Sequence, residues 1–320
     1  MTAAALQTAD WGDHSVWRWR DLNCHWRLLG ADQSGPPVLL LHGFGASSAH
    51  WRHLAPLLAA AGWRVYALDL IGFGDSDQPG WKAHRPLDNR LWARQVVAFV
   101  RQVIQRPAVL IGNSLGGLTA LTAAVLDPDW VRAVVAAPLP DPALGQPLPQ
   151  RRPPGQRHLQ RRLVTWVLRL LPLELIIPLI ARTPLLKGAL QGAYRKSIRH
   201  DTELLRLIAR PARRPTAARA LRAMSIGMSL RPRGATAPAL LQQLEGHAPL
   251  LLLWGRQDRF VPLSIGTSTA ARHPWLRLEV LENCGHCPHD ERPEEMLAIL
   301  LPWLDRNLGI SSPLGTGQRR

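Results

Sequence analysis

Six short runs rich in apolar residues recur in this chain, VLLLH (38–42), WRVYALD (63–69), AVLIG (108–112), AVVAA (133–137), LLLLWG (250–255) and LRLEVLE (276–282), and all but the last lack alternation. A strand with one wet face alternates apolar and polar residues. A run without alternation needs cover on both faces, which a parallel sheet between two layers of helices provides. Stretches with helical spacing, Leu87–Gln105 and Leu115–Leu126 among them, lie between the runs. This order predicts an α/β fold with a mostly parallel central sheet flanked by helices. Ahead of it, VWRWRDLNCHWRLLG (16–30) places Asp21 and Asn23 between two strand-like arms and reads as an antiparallel hairpin.

The rhythm stops after Ala137. A proline-rich stretch from Pro138 to about Pro154 leads into an Arg-rich apolar region of helical character, and the strands resume at Leu250. An interruption of roughly a hundred residues is far beyond loop length. It reads as a helical cap inserted between two strands of one sheet. The expected division is core over 1–139, cap over 140–246, core over 247–308 and a disordered tail over 309–320.

Charge follows the same division. The chain carries a net +16, and residues 151–245 hold 17 arginines and 2 lysines against 4 acids, so the rest is nearly neutral. Two readings stand side by side: a solvated basic face, or a surface drawn to anionic lipid or anionic substrate. The basic segment is apolar and lacks interleaved stacking aromatics, so no nucleic-acid partner is expected. The most apolar stretch, LVTWVLRLLPLELIIPLI (163–180), contains Arg169, Glu174 and two prolines and is not a clean membrane span. The N-terminus, MTAAALQTAD, has neither a basic region nor a long apolar stretch, so no secretory signal is expected. With three cysteines, this points to a reducing, cytoplasmic compartment.

GNSLG (112–116) directly follows a strand-like run and directly precedes an apolar helix. In that setting G-x-S-x-G is a nucleophile elbow: the backbone turns too tightly for side chains at the glycines and lifts Ser114 at the carboxyl edge of the sheet. The plain alternative is a glycine-rich helix start. LHGFG (41–45) follows another strand, and the backbone N–H of Phe44 with that of Leu115 would form an oxyanion hole. His42 belongs to that loop and reads as a structural hydrogen-bonding residue, as do Asp69 and Asp75 in DLIGFGDS. A serine nucleophile needs a base oriented by an acid. Asp258 and His286 each follow a strand, in the chain order serine, acid, histidine. His289 is the competing base, read as a supporting or helix-start residue ahead of Asp290 and Glu291. Cys284-Gly285-His286-Cys287 also matches C-x-x-C, but it lies after the last strand, and Cys24 is remote from it. Redox and metal chemistry are therefore disfavoured, and no cofactor is expected.

Together LHGFG, DLIGFGDS, GNSLGG, WGRQDRFVP and CGHCPHDERP resemble the α/β-hydrolase superfamily across the chain except residues 140–245. GNSLGG with GHCPHDERPEE and the Trp-rich WRWRDLNCHWRLLG is similar to a cyanobacterial and plastid group of serine hydrolases, the pheophytinase- and chlorophyll dephytylase-like proteins, which remove phytol from chlorophyll pigments. The resemblance implies Ser114 as nucleophile, Asp258 as acid and His286 as base. It also implies a phytyl-type ester as substrate, and an apolar ester of this kind would be reached from a membrane. Haloalkane dehalogenases and epoxide hydrolases share the motif order but carry aspartate where this chain has Ser114. A non-catalytic accessory protein on the same fold is the other alternative.

Overall fold

The computed structural model describes residues 10–80, 86–145, 162–163, 165–168, 170–182 and 184–309. The expected tail beyond 309 and the arginines of 151–161 lie outside the described residues. The chain builds one eight-stranded sheet in the order β1-β2-β4-β3-β5-β6-β7-β8. β1 (Asp13–Trp19) and β2 (Leu22–Leu29) form the antiparallel hairpin, and β2 pairs antiparallel with β4 (Arg64–Leu68). All further pairings are parallel, through β3 (Pro37–Leu41), β5 (Ala108–Asn113), β6 (Val131–Ala137), β7 (Leu250–Gly255) and β8 (Arg277–Leu281).

The unalternating runs are explained by two cores, one per face. Leu39, Leu41, Leu110, Val134, Leu250 and Leu252 point to one, and Val38, Leu40, Val109, Val135, Leu251 and Leu253 point to the other. The first core is closed by α2 (Asn89–Phe99) and α3 (Leu115–Leu126), the second by α1 (Leu54–Ala60) and a C-terminal helix, Pro293–Leu308. Each fully buried leucine or valine contributes about 1.5–3 kcal/mol, so neither layer of helices is dispensable.

β4 lies on one side of β3 and β5 on the other, so the winding reverses between β3 and β5. In open α/β sheets the crevice at the carboxyl ends of such strands is where ligands bind. Gly43 and Ser114 follow these two strands.

Between β6 and β7 the described segment is helical: residues around 162–170, then α4 (Leu173–Arg182), α5 (Pro184–Gln191), α6 (Thr202–Ala212), α7 (Ala217–Leu230) and α8 (Ala237–Leu244). The last of these behaves differently from the rest. Ala237, Leu240, Leu241 and Leu244 are buried in the α2/α3 core, and Asn89 donates to the Ala235 carbonyl at 2.9 Å. Among the described residues no helix is long and apolar enough to cross a membrane.

Candidate active site

Ser114 sits at the β5–α3 turn with φ 52° and ψ −116°, a conformation costly for a residue with a side chain, on the order of 1–3 kcal/mol. The surroundings enforce it. A Cβ on Gly116 would lie 2.0 Å from the Leu41 carbonyl oxygen, so α3 can start this close to β3 only with glycine there. A Cβ on Gly43 would meet Asn113 Oδ1 at 2.6 Å, and glycine lets the loop after β3 lie against the elbow. Ser114 N–H donates to the Ala137 carbonyl at 3.2 Å, and Asn113 Nδ2 donates to the carbonyls of Ala137 (2.6 Å) and His286 (3.0 Å). Asn113 thereby ties the elbow to the distant loop that carries His286.

His286 Nδ1 lies 2.8 Å from Asp258 Oδ2. The other oxygen, Asp258 Oδ1, accepts from the backbone N–H of Phe260 (2.8 Å) and of Val261 (2.9 Å), so the carboxylate cannot rotate without losing both. His286 and Ser114 line one cavity of about 290 Å³ together with Gly43, Phe44, His50 and Tyr194. Leu115 is the first residue of α3, where an N–H has no intrahelical acceptor and a helix dipole is positive. All five residues singled out in the sequence thus meet at the carboxyl ends of β3, β5, β7 and β8. A second, apolar chamber of about 360 Å³ shares Phe44, Leu190, Ile208 and Phe260 with the first. Its far walls are Ile177, Ile180, Leu221 and Met224, all from the inserted helices.

The remaining polar residues fall into structural roles. His42 Nε2 accepts from Leu70 N–H at 3.1 Å and Nδ1 faces the Gly43 carbonyl at 2.8 Å, which holds the loop and fixes a neutral tautomer; burial lowers its pKa. Burial pushes the Asp69 carboxyl up, but His25 and the Ser48 N–H outweigh it and hold the group at about 2. His25, Asp69 and Asp75 could geometrically hold a cation, yet Asp69 is already occupied by these donors and by the Asp75 N–H at 2.8 Å. Asp75 itself pairs with Arg210 at 3.1 Å.

His289 is fully buried against Trp51 and does not line the cavity. Asp290 and Glu291, which follow His289, are buried too. Asp290 accepts from Arg52 Nε at 2.9 Å and from Tyr194 O–H at 2.9 Å. Glu291 accepts from the Gly285 N–H at 2.7 Å and from the Lys196 N–H. Tyr194 in turn faces His50 Nε2 at 2.7 Å, and His50 Nδ1 faces His289 Nε2 at 3.3 Å. Burial drives both imidazoles to the neutral form, His50 to about 4 and His289 well below its ordinary value. Their folded-state values lie below the ordinary 6.5, so the unfolded chain gains protons first as pH falls. Stability is expected to drop from pH 6.5 towards 4, measured by chemical denaturation, and His50→Asn should flatten that slope.

Cys24, Cys284 and Cys287 are free and buried, and burial pushes each thiol up, Cys24 to about 12. A protonated buried thiol is a poor nucleophile and a poor metal ligand. Cys284→Ala with Cys287→Ala is expected to keep hydrolase activity within about threefold, against the far larger losses that follow removal of a nucleophile. A dithiothreitol-sensitive rate, or loss of activity in the folded double variant, would reopen the thiol reading.

A doubly covered parallel sheet, a strained serine at its switch point and an acid-oriented histidine beside it define a class of hydrolases. Residues 36–293 match the family model of the α/β-hydrolase fold, and the chain belongs to that family. It is 27% identical to the chloroplastic pheophytinase of Arabidopsis thaliana over 91% of this chain, and spans 66% of that protein, just under two thirds. It is 29% identical to 2-hydroxy-6-oxo-6-phenylhexa-2,4-dienoate hydrolase of Burkholderia cepacia, over 84% of this chain and 88% of that one. Among solved structures, a membrane phospholipase A described as a bacterial virulence factor superposes with a TM-score of 0.67 at 28% identity, covering 92% of this chain and 86% of that one. These relatives support a hydrolase of the α/β fold family.

Proposed function

We propose that the chain is a serine hydrolase that cleaves a carboxylic ester with a long apolar arm, through an acyl-Ser114 intermediate. The observation that carries this reading is a pair of neighbouring cavities that share Phe44, Leu190, Ile208 and Phe260, one lined by Ser114 and His286 and the other almost purely apolar. Ser114 Oγ attacks the ester carbonyl and His286 Nε2 takes its proton. Asp258 holds Nδ1–H and stabilises the imidazolium. The developing oxyanion takes hydrogen bonds from the Phe44 and Leu115 N–H groups. His286 then protonates the leaving alcohol, and water, activated by the same imidazole, releases the acid. No metal or cofactor enters.

The apolar chamber, within the range of about 300–1,000 Å³ usual for ligand sites, takes the hydrocarbon arm under a cap formed by the helices of residues 162–230. A phytyl-type ester fits that demand, and the likeness to pheophytinase supports it. The test is a series of p-nitrophenyl esters of rising chain length, with pheophytin and chlorophyll, and a fluorophosphonate probe to trap the serine. kcat/KM is expected to rise with chain length. Leu221→Trp, which fills the chamber, should remove that rise while leaving p-nitrophenyl acetate within about threefold, since Leu221 lines the apolar chamber and not the Ser114 cavity. A Ser114 that neither reacts with the probe nor turns over any ester would leave a non-catalytic binding protein.

A further inference from the structure

The inserted helices turn a row of large apolar side chains outward. Leu163, Trp166, Leu170, Leu175, Leu179 and Leu185 are each 59–74% exposed, and the spacing of three and four residues puts Leu163, Trp166 and Leu170 on one face of their helical piece and Leu175 and Leu179 on one face of α4. Single exposed leucines are unremarkable, but monomeric proteins rarely leave so many large apolar side chains uncovered along one segment. The same helix that carries Leu175 and Leu179 gives Ile177 and Ile180 to the wall of the apolar chamber, and Leu186 follows Leu185 there. The outward face and the chamber are two sides of one thin wall.

Charge says what covers that face. Among the side chains described in 162–200, Arg162, Lys187, Arg195, Lys196 and Arg199 stand against a single acid, Glu174. Glu174 is bound by the Arg222 guanidinium, which also donates to the carbonyls of Leu168 (3.1 Å) and Leu171 (2.8 Å). Arg222 thus neutralises the one anion of the segment and ties its first two helical pieces to α7. Arg162 and Lys187 stand beside the apolar residues at the two ends of the row. A second copy of the chain would set a positive face against itself, since a two-fold interface is self-complementary only when its charges are. A bilayer with anionic head groups satisfies both features at once, with apolar side chains at the acyl boundary and basic ones at the phosphates.

We propose that the helices of residues 162–185 lie on an anionic membrane surface and that the apolar chamber draws its ester directly from the bilayer through this wall. The docking step does not depend on the hydrolase reading, whereas the delivery step rests on it. The two are separated by measuring binding on Ser114→Ala protein and delivery on the unaltered chain.

The full chain with Ser114→Ala is mixed with vesicles of equal parts phosphatidylglycerol and phosphatidylcholine, and with vesicles of phosphatidylcholine alone, then sedimented. Binding is expected to be at least about tenfold tighter to the anionic vesicles and to weaken from 0.1 to 1 M salt, as the Debye length falls from about 10 to 3 Å. Trp166→Glu with Leu175→Glu should abolish sedimentation. With Ser114 intact, this pair should leave p-nitrophenyl acetate hydrolysis within about twofold but lower hydrolysis of a vesicle-embedded long-chain ester at least about tenfold. Normal hydrolysis of the soluble ester shows that the variant is folded. Equal binding to both vesicles, or binding to neither, overturns the docking. A salt-insensitive dimer in sedimentation equilibrium that the same pair of substitutions dissociates would also overturn it, giving the face to a second copy.

Discussion

Ser114→Ala is expected to lower kcat for ester hydrolysis by about 10⁴-fold or more while leaving the melting temperature almost unchanged, because alanine meets the same φ of 52° and fills nearly the same space. His286→Ala should do comparable damage, and the double variant should be little worse, since a nucleophile and its base act as one unit. Asp258→Asn is the most informative of the set. Oδ1 is held by two backbone N–H donors, so an asparagine places its amide oxygen there and turns its NH₂ towards His286. The ring is then forced to carry its proton on Nε2, the tautomer that cannot accept from serine. A loss of about 10⁴-fold in kcat with little change in KM is expected. His289→Asn provides the contrast. It removes a buried ring that does not line the cavity, so the folded variant should keep its kcat. If His289→Asn cripples kcat as His286→Ala does, the base has been misassigned. If Asp258→Asn retains wild-type kcat, the carboxylate is only a turn residue.

The parts of this site that are legible in the sequence share a physical cause. β7 buries both faces and leaves an unmistakable apolar run, and the edge strand β8, though only partly buried, still shows Leu278, Val280 and Leu281, so a polar residue just beyond either strand stands at the carboxyl edge of the sheet; Asp258 and His286 are found this way. The elbow is legible because Gly116 has no room for a methyl group against Leu41. The network below the site leaves no such trace. Arg52 and Asp290 are 238 residues apart, and Tyr194 is 144 from His50. A lone arginine in a chain with 36 of them, or an Asp-Glu pair at a helix start, looks the same whether it is solvated or sealed inside. Only the fold brings these groups together. Asn113 is hidden for a related reason: it lies inside the elbow motif at a position the motif leaves open, and its role depends on where the His286 carbonyl comes to rest.

Arg52→Ala is expected to lower the unfolding free energy by about 3–5 kcal/mol, the usual cost of leaving a buried charge without its partner. Arg52 and Asp290 are almost wholly buried, and the guanidinium also reaches Asp201 and Glu203 at the start of α6, so one side chain joins the core to the cap. Burial lowers the Arg52 pKa less than Asp201 and Asp290 raise it, so it stays charged at every working pH. Burial alone would raise the Asp290 carboxyl, but His50 and Arg52 hold it well below the ordinary 3.8. Its stabilisation is therefore present above that pH and lost as pH falls through the folded-state value. In Arg52→Ala the carboxylate loses that support and protonates more readily, so the deficit against wild type should be largest near neutral pH and shrink on the acid side. Arg256→Ala is the matched control. Its pair with Glu282 is half exposed on both sides, and such surface pairs contribute about 0–1 kcal/mol. Adding Asp290→Asn to Arg52→Ala removes the stranded charge while keeping an acceptor for Tyr194, so the double variant should be more stable than Arg52→Ala alone. An Arg52→Ala loss no larger than that of Arg256→Ala, or no recovery from Asp290→Asn, would mean that solvent reaches this carboxylate and that the core-to-cap tie is not electrostatic.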